Sequence, residues 1–179
     1  MTGQISDTFI YKSDRYSLIG KMGWDLFSPL KYGMTPEMIS TACYQGHIST
    51  YEIKDEKLYL QQLTIRDKNG NYPPINGVEP DKQEFEANYS DLNLIIPFDG
   101  KLRLAKGFIN DFYIHMGFQK ASAFKKVLDL TLEEGRVAEV LDRSKEAKAK
   151  RGAFKKKYDS NKDWNESILE AFSLDMDFK

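Results

Sequence analysis

The sequence predicts a mainly β protein of α+β type: one curled or barrel-like antiparallel sheet of about nine or ten strands, followed by helical segments at the C-terminal end. Three observations carry this. Residues 39–66 are dense in β-branched and aromatic side chains and are broken at two short polar spots, as a meander would be. Within that stretch the apolar phase jumps from even positions (Leu58, Leu60) to odd ones (Leu63, Ile65). One extra residue at Gln61-Gln62 does this, and such a β-bulge bends a strand as curling or closing sheets require. Aromatic residues make up 13% of the 179 positions, including 10 Tyr and 11 Phe, which suits packed sheet surfaces.

The elements follow in order. Phe9–Lys12 and Tyr16–Gly20 read as two short strands around a turn at Ser13-Asp14-Arg15. Residues 24–36 hold two prolines and a glycine that forbid a continuous element, so an ordered loop pinned by Trp24, Phe27 and Tyr32 is expected. In the meander, a turn at Gln45-Gly46 would pair Tyr44 with His47 and Ala42 with Ser49. A turn at Asp55-Glu56 would pair Ile53 with Leu58 and Tyr51 with Leu60. The face with Tyr44, His47, Ser49, Tyr51, Ile53, Leu58 and Leu60 is then the core face; Thr41, Cys43, Ile48, Thr50, Glu52 and Tyr59 share the other.

Residues 67–91 are polar and lack strand or helix periodicity, which predicts a long loop of functional or mobile character. Leu92–Leu104 reads as a hairpin with a three-residue loop, Phe98-Asp99-Gly100, pairing Ile96 with Leu102 and Leu94 with Leu104. Ile109–Gly117 fits a strand or one or two helical turns. Phe124–Leu132 alternates as a strand, Glu133-Glu134-Gly135 turns it, and Arg136–Leu141 returns. Asp142–Ser144 opens an Ala- and Lys-rich helix to about Lys157. Trp164, Ile168, Leu169 and Phe172 mark one face of a second short helix, which would dock on the sheet. One domain over residues 1–179 is expected, β-rich over 8–141 and helical over 142–172.

Charge and composition narrow the function classes. A net charge of −1 and a pI near 6.2 argue against a dedicated nucleic-acid binder. A single cysteine forbids an internal disulfide. No apolar run of about 18 residues exists, and the N-terminus lacks the basic and apolar regions of a signal peptide, so a cytoplasmic protein is expected.

Catalytic signatures for acyl transfer, nucleotide binding or zinc hydrolysis are absent from the sequence. No catalytic residue, metal ligand or cofactor is therefore assigned. Cys43 with His47 or His115 as base would make a nucleophile, but the meander register sends Cys43 and His47 to opposite faces, and a free cysteine is ordinarily a small buried hydrophobe. His47, Glu52 and His115 lack metal-ligand spacing. Thr41, Thr50, Glu52 and Tyr59 are the candidate ligand-binding residues: if their face lines a barrel interior, they are polar anchors in an apolar cavity. If it is the solvated face of a one-sided sheet, they are surface residues. The basic run Arg143–Lys157 suits an acidic partner or a solvated helix.

At Phe27-x-Pro29-x-x-Tyr32-Gly33, Thr41-Ala42-Cys43-x-x-Gly46, Thr50-Tyr51-Glu52-Ile53 and Leu58-Tyr59-Leu60 the chain resembles a group of bacterial proteins without an assigned activity. The resemblance covers most of the β-rich part and implies no site residues. Two readings follow. The first is a non-enzymatic β-barrel that binds a small apolar or amphipathic molecule. The second is an interaction module that holds a protein partner through the 67–91 loop and the C-terminal helices. Neither nucleic acid nor a membrane is expected as a partner.

Overall fold

Two tight turns and one parallel pairing set the architecture. The computed structural model describes residues 2–158 and 171–176, with the side chains of 152–158 outside the description. Strands β1 (Thr8–Tyr11) and β2 (Asp14–Gly23) are joined through Lys12-Ser13, and β3 (His47–Lys54) and β4 (Lys57–Ile65) through Asp55-Glu56. All four turn residues have positive φ, between 50° and 65°. That is the two-residue hairpin geometry whose twist matches the strands it connects. The first turn is thus shorter than the sequence predicted. Three further short strands follow: β5 (Asp81–Lys82), β6 (Ala87–Tyr89) and β7 (Leu94–Ile95). Then come the long strands β8 (Gly100–Phe108), β9 (Phe124–Glu133) and β10 (Arg136–Asp142), and the helix α1 (Ser144–Tyr158).

The sheet runs β10-β9-β8-β2-β1-β3-β4 and closes on itself where β10 meets β4. Arg136 faces Lys57 there, and the Leu58 and Val137 amides donate to Gly135 O and Glu56 O at 2.8 and 2.9 Å. Those seven strands form the barrel; β6, with β5 beyond it, and β7 extend the sheet from β4. The pairings are antiparallel except β1 with β3, which run parallel with Thr8 opposite Thr50 and Phe9 opposite Tyr51.

The expected register of the second hairpin is present: Tyr51 faces Leu60 and Ile53 faces Leu58. Further along, Thr50 faces Gln62, leaving Gln61 as the extra residue of the bulge. The inward face is packed. Phe9 and Tyr51 stack with ring centroids 4.9 Å apart, and Leu58, Leu60, Leu102, Leu104, Leu130 and Leu132 close around them, each at most 1% exposed. Seven strands leave an interior of the width that side chains of this size fill.

Four expectations are corrected. Residues 39–46 are not a third meander strand. Cys43 N bonds back to Ser40 O at 2.9 Å, and Gly46, at φ +76°, sits so close to Glu37 that a Cβ would lie 2.6 Å from its carbonyl oxygen. The partner of β3 on that side is β1. Leu92–Leu104 is not a hairpin: both edges of β8 are taken by β2 and β9, so Leu94 and Ile95 pair with Leu60 and Tyr59 of β4 instead. The 67–91 segment is not loop throughout, because it holds β5 and β6. Buried Asp67 accepts from the Thr35, Asn69 and Asn71 amides, Ile75 is fully buried, and β6 pairs with β4. Trp24 is 86% exposed; Leu26, Phe27 and Met34 pin the 24–36 loop, with Tyr32 stacked on Phe27 at 5.4 Å. Of the stripe expected on a second C-terminal helix, Trp164, Ile168 and Leu169 lie outside the described residues, while Phe172 packs edge-on against Tyr44.

The outside of the barrel carries a second, smaller core. Ile19, Ala105, Phe124 and Val127 meet Ala121, Ala123 and Ala147 under α1. Two arginines of the basic run tie α1 down: Arg143 to Asp129 and Glu146, and Arg151 to the carbonyls of Ser122 and Phe124.

Candidate functional site

Alternation along the strands decides which polar groups reach the barrel mouth. Phe9 points inward, so Asp7, two residues earlier, shares its side. Tyr51 points inward, and so do Ser49 and His47 before it. On β2 a bulge between Leu18 and Gly20 resets the phase, placing Lys21 opposite inward-facing Leu102. The parallel β1–β3 pairing then brings the start of both strands to one rim, next to the end of β2.

The result is a pocket of about 260 Å³. Its polar wall is Asp7, Lys21, Asp25, Gln45, His47 and Tyr51; its apolar wall is Leu18 with Leu26, Phe27, Pro29 and Leu30 from the loop over the mouth. Leu174, from the C-terminal segment, completes it. That segment is held in part by the Lys21 amide, which donates to Leu174 O at 2.6 Å.

Asp7 is the central group. Its Oδ1 accepts the Ser49 amide at 2.8 Å. Burial raises its pKa from 3.8 to about 6, against the opposing pull of the Ser49 amide, the Lys21 charge and the Gln45 side chain. His47 Nδ1 lies 3.1 Å from Gln45 O, a carbonyl that can only accept, so Nδ1 carries the proton and Nε2 the lone pair. Burial lowers its pKa, which favours the neutral ring. Lys21 Nζ donates to Asp25 Oδ1 at 3.1 Å. Gln45 Nε2 donates to His47 O at 2.8 Å. Beneath the mouth, Ser49 Oγ is fully buried and completes no hydrogen bond among the described residues. The Tyr51 hydroxyl is close enough to Ser49 for the contact to lower its pKa, but burial outweighs this and raises it well above the usual value.

The residues singled out in the sequence lie elsewhere. Thr50, Glu52 and Tyr59 are half-buried on the outer face, and Thr41 is exposed in the turn before β3. Their face is the outside of the barrel, because Tyr51, Ile53, Leu58 and Leu60 occupy the inside. Glu52 accepts from Gln61 at 2.8 Å, and Gln61 also donates to Asn93, so this carboxylate braces the bulge. Cys43 is buried, points its thiol at His47 O at 3.4 Å, and has its pKa raised by burial; a thiolate is disfavoured there. His115 is exposed and packs edge-on against Tyr113. Among the described residues no group of three His, Cys, Asp or Glu side chains is arranged to hold a metal ion. No described helix is long and apolar enough to cross a membrane.

His47 is the one mouth residue that the sequence offers as a candidate. Asp7 gives little local signal: it is a carboxylate directly before an apolar strand, and it becomes a site only through a partner 42 positions away. The molecule is thus a closed β-barrel with a mixed polar and apolar pocket at its mouth. Comparison with protein-family models, with curated proteins and with solved structures gives no significant match.

Proposed function

We propose that the protein binds a small molecule, and that it does so at the barrel mouth and not along the barrel axis. The observation that supports this is the convergence of Asp7, His47, Tyr51 and Gln45 on one cleft walled by Leu26, Phe27 and Pro29. A few converging polar groups in an otherwise apolar concavity are what a small-molecule site needs. The volume lies just under the range of about 300–1,000 Å³ found for drug-sized ligands, which fits a compact molecule. The filled barrel axis supports the choice of the mouth over an internal cavity.

A fragment library screened by amide NMR tests the reading. Binders are expected to shift resonances of Asp7, His47, Tyr51 and Leu26 together. Leu26→Trp, which fills the cleft from the loop side, is expected to abolish those shifts while the spectrum of the barrel strands stays dispersed. Binders that map to other surfaces and ignore Leu26→Trp count against it.

A further inference from the structure

We infer that the mouth pocket is built for an organic cation: a compact primary amine whose ammonium sits on Asp7 and whose apolar body lies against Leu26 and Phe27. This rests on the mouth being a ligand site and adds the chemical class of the ligand.

The hydrogen-bond inventory carries it. The Lys21 and Gln45 donors that line the cleft each have a partner within the protein, while the Ser28 and Tyr51 hydroxyls can donate or accept. Lys21 is held by Asp25, and the Gln45 amide is held by His47 O. The acceptors are left with capacity. A carboxylate offers about four lone-pair sites, and Asp7 takes one backbone amide, from Ser49, with the Gln45 side chain as its other hydrogen-bonding neighbour. His47 presents the lone pair of Nε2, because Nδ1 donates to Gln45 O. Acceptors with this spare capacity, gathered at a carboxylate, are complemented by a ligand that brings donors. An ammonium has three.

Charge agrees with the inventory. Asp7 and Asp25 face Lys21 in the lining, and His47 is held toward its neutral form, so one negative charge is left over. Lys21 and Asp25 neutralise each other as an ion pair on the more exposed side. The Lys21 charge also acts on Asp7, but its ammonium contacts Asp25, so the net negative charge of the lining centres on Asp7, in the buried part of the mouth. Desolvation there disfavours a lone carboxylate, and a cation delivered by a ligand supplies the missing compensation. An anionic ligand would meet two carboxylates, Asp7 and Asp25, against the single cation Lys21.

Three probes of matched length separate the alternatives: n-hexylamine, hexanol and hexanoate, titrated calorimetrically and followed by amide NMR. At pH 7.5 hexylamine is expected to bind about 10-fold or more tighter than hexanol, as one charge-assisted hydrogen bond allows. Hexanoate is expected to be the weakest. The hexylamine affinity should fall between pH 7 and 5, because Asp7 takes up a proton near pH 6 while the ligand stays charged throughout. Any protonation of His47 in that interval acts in the same direction. Asp7→Asn should erase the preference for the amine and keep hexanol binding.

Hexanoate binding best, an amine affinity that is flat from pH 7 to 5, or unchanged amine preference in Asp7→Asn overturns the cation assignment while leaving the pocket as a binding site. If none of the three probes moves the resonances of His47, Tyr51 and Leu26, the pocket reading falls with it. The wild-type pH profile decides the matter even if Asp7→Asn does not fold.

Discussion

Arg103 on β8 and Asp129 on β9 face each other as a cross-strand pair, Nε to Oδ1 and Nη2 to Oδ2 both at 2.7 Å. They lie on the outside of the barrel and are nonetheless almost completely buried, their side chains 1% and 8% exposed. Arg143, just ahead of α1, adds a third contact to Asp129 at 3.2 Å.

Removing one partner of such a pair strands a charge without water. Asp129→Ala is therefore expected to cost about 3–5 kcal/mol, measured by urea denaturation. Replacing both partners by apolar residues, Arg103→Met with Asp129→Leu, should recover most of that loss. If the double variant is no more stable than Asp129→Ala alone, the pair is needed for more than mutual neutralisation.

Asp67 fixes the 67–91 segment. Its carboxylate takes the Thr35, Asn69 and Asn71 amides, tying the loop before β3 to the loop after β4. Asp67→Ala leaves these donors without their acceptor in a part-buried place and should cost about 3 kcal/mol, at about 1 kcal/mol for each. Hydrogen exchange should then quicken at Asn69, Asn71 and Ala87 while the β8–β9 amides stay protected. Unchanged exchange at those positions would mean that Ile75 and β6 hold the segment without it.

How legible this molecule is in its sequence depends on how local the signal is. The Tyr51–Leu60 register and the bulge at Gln61 are written within 15 residues, as a phase switch of apolar side chains, and both can be read. The hairpin misread at 92–104 had good local turn chemistry, but β8 gains more by pairing along its length with β2 and β9. The mouth is legible only in its β3 part, where His47, Ser49 and Tyr51 share a face. The rest needs the parallel β1–β3 pairing to place Asp7 beside Ser49, and the β2 bulge to turn Lys21 inward. The face of Thr50, Glu52 and Tyr59 was identified as one face, yet which side of the sheet lies inside is settled only by closure.

Acid–base behaviour follows from Asp7. Its folded pKa of about 6 lies above the usual 3.8, so the native state holds a proton that the unfolded chain has released between these values. Stability from this group is full below about pH 4 and is lost as pH rises through 6, by at most about 3 kcal/mol. Asp142, lowered to about 2 by Lys126 and Ser144, acts oppositely: its contribution is present above 3.8 and is lost as pH falls toward 2. The stability difference between wild type and Asp7→Asn should change between pH 4 and 6 and be flat above 7. A difference that is constant from pH 4 to 8 would show that Asp7 titrates as an ordinary carboxylate.

The C-terminal segment closes the fold, and its seat is shaped for it. Gly117, at φ +76°, lies so near the chain that a Cβ would sit 2.0 Å from Ala171 O, and the Phe118 amide donates to that same oxygen at 2.8 Å. At the other end a Cβ on Gly20 would fall 2.9 Å from Met176 Sδ. Between them Leu174 packs on the main core and its carbonyl takes the Lys21 amide, which sits on the β2 edge beyond the reach of β1. A chain ending at Ser160 loses all of this, and should melt several degrees below the full protein, since removal of the part-buried Leu174 alone is worth about 2 kcal/mol. Gly117→Ala should weaken the same docking from the other side, through a forbidden contact and a strained backbone, and expose the C-terminal residues to limited proteolysis. Both variants also open the pocket wall that Leu174 supplies, so hexylamine affinity should fall with them. Equal melting temperatures for the truncated and full chains would show that residues 171–176 rest on the barrel without stabilising it.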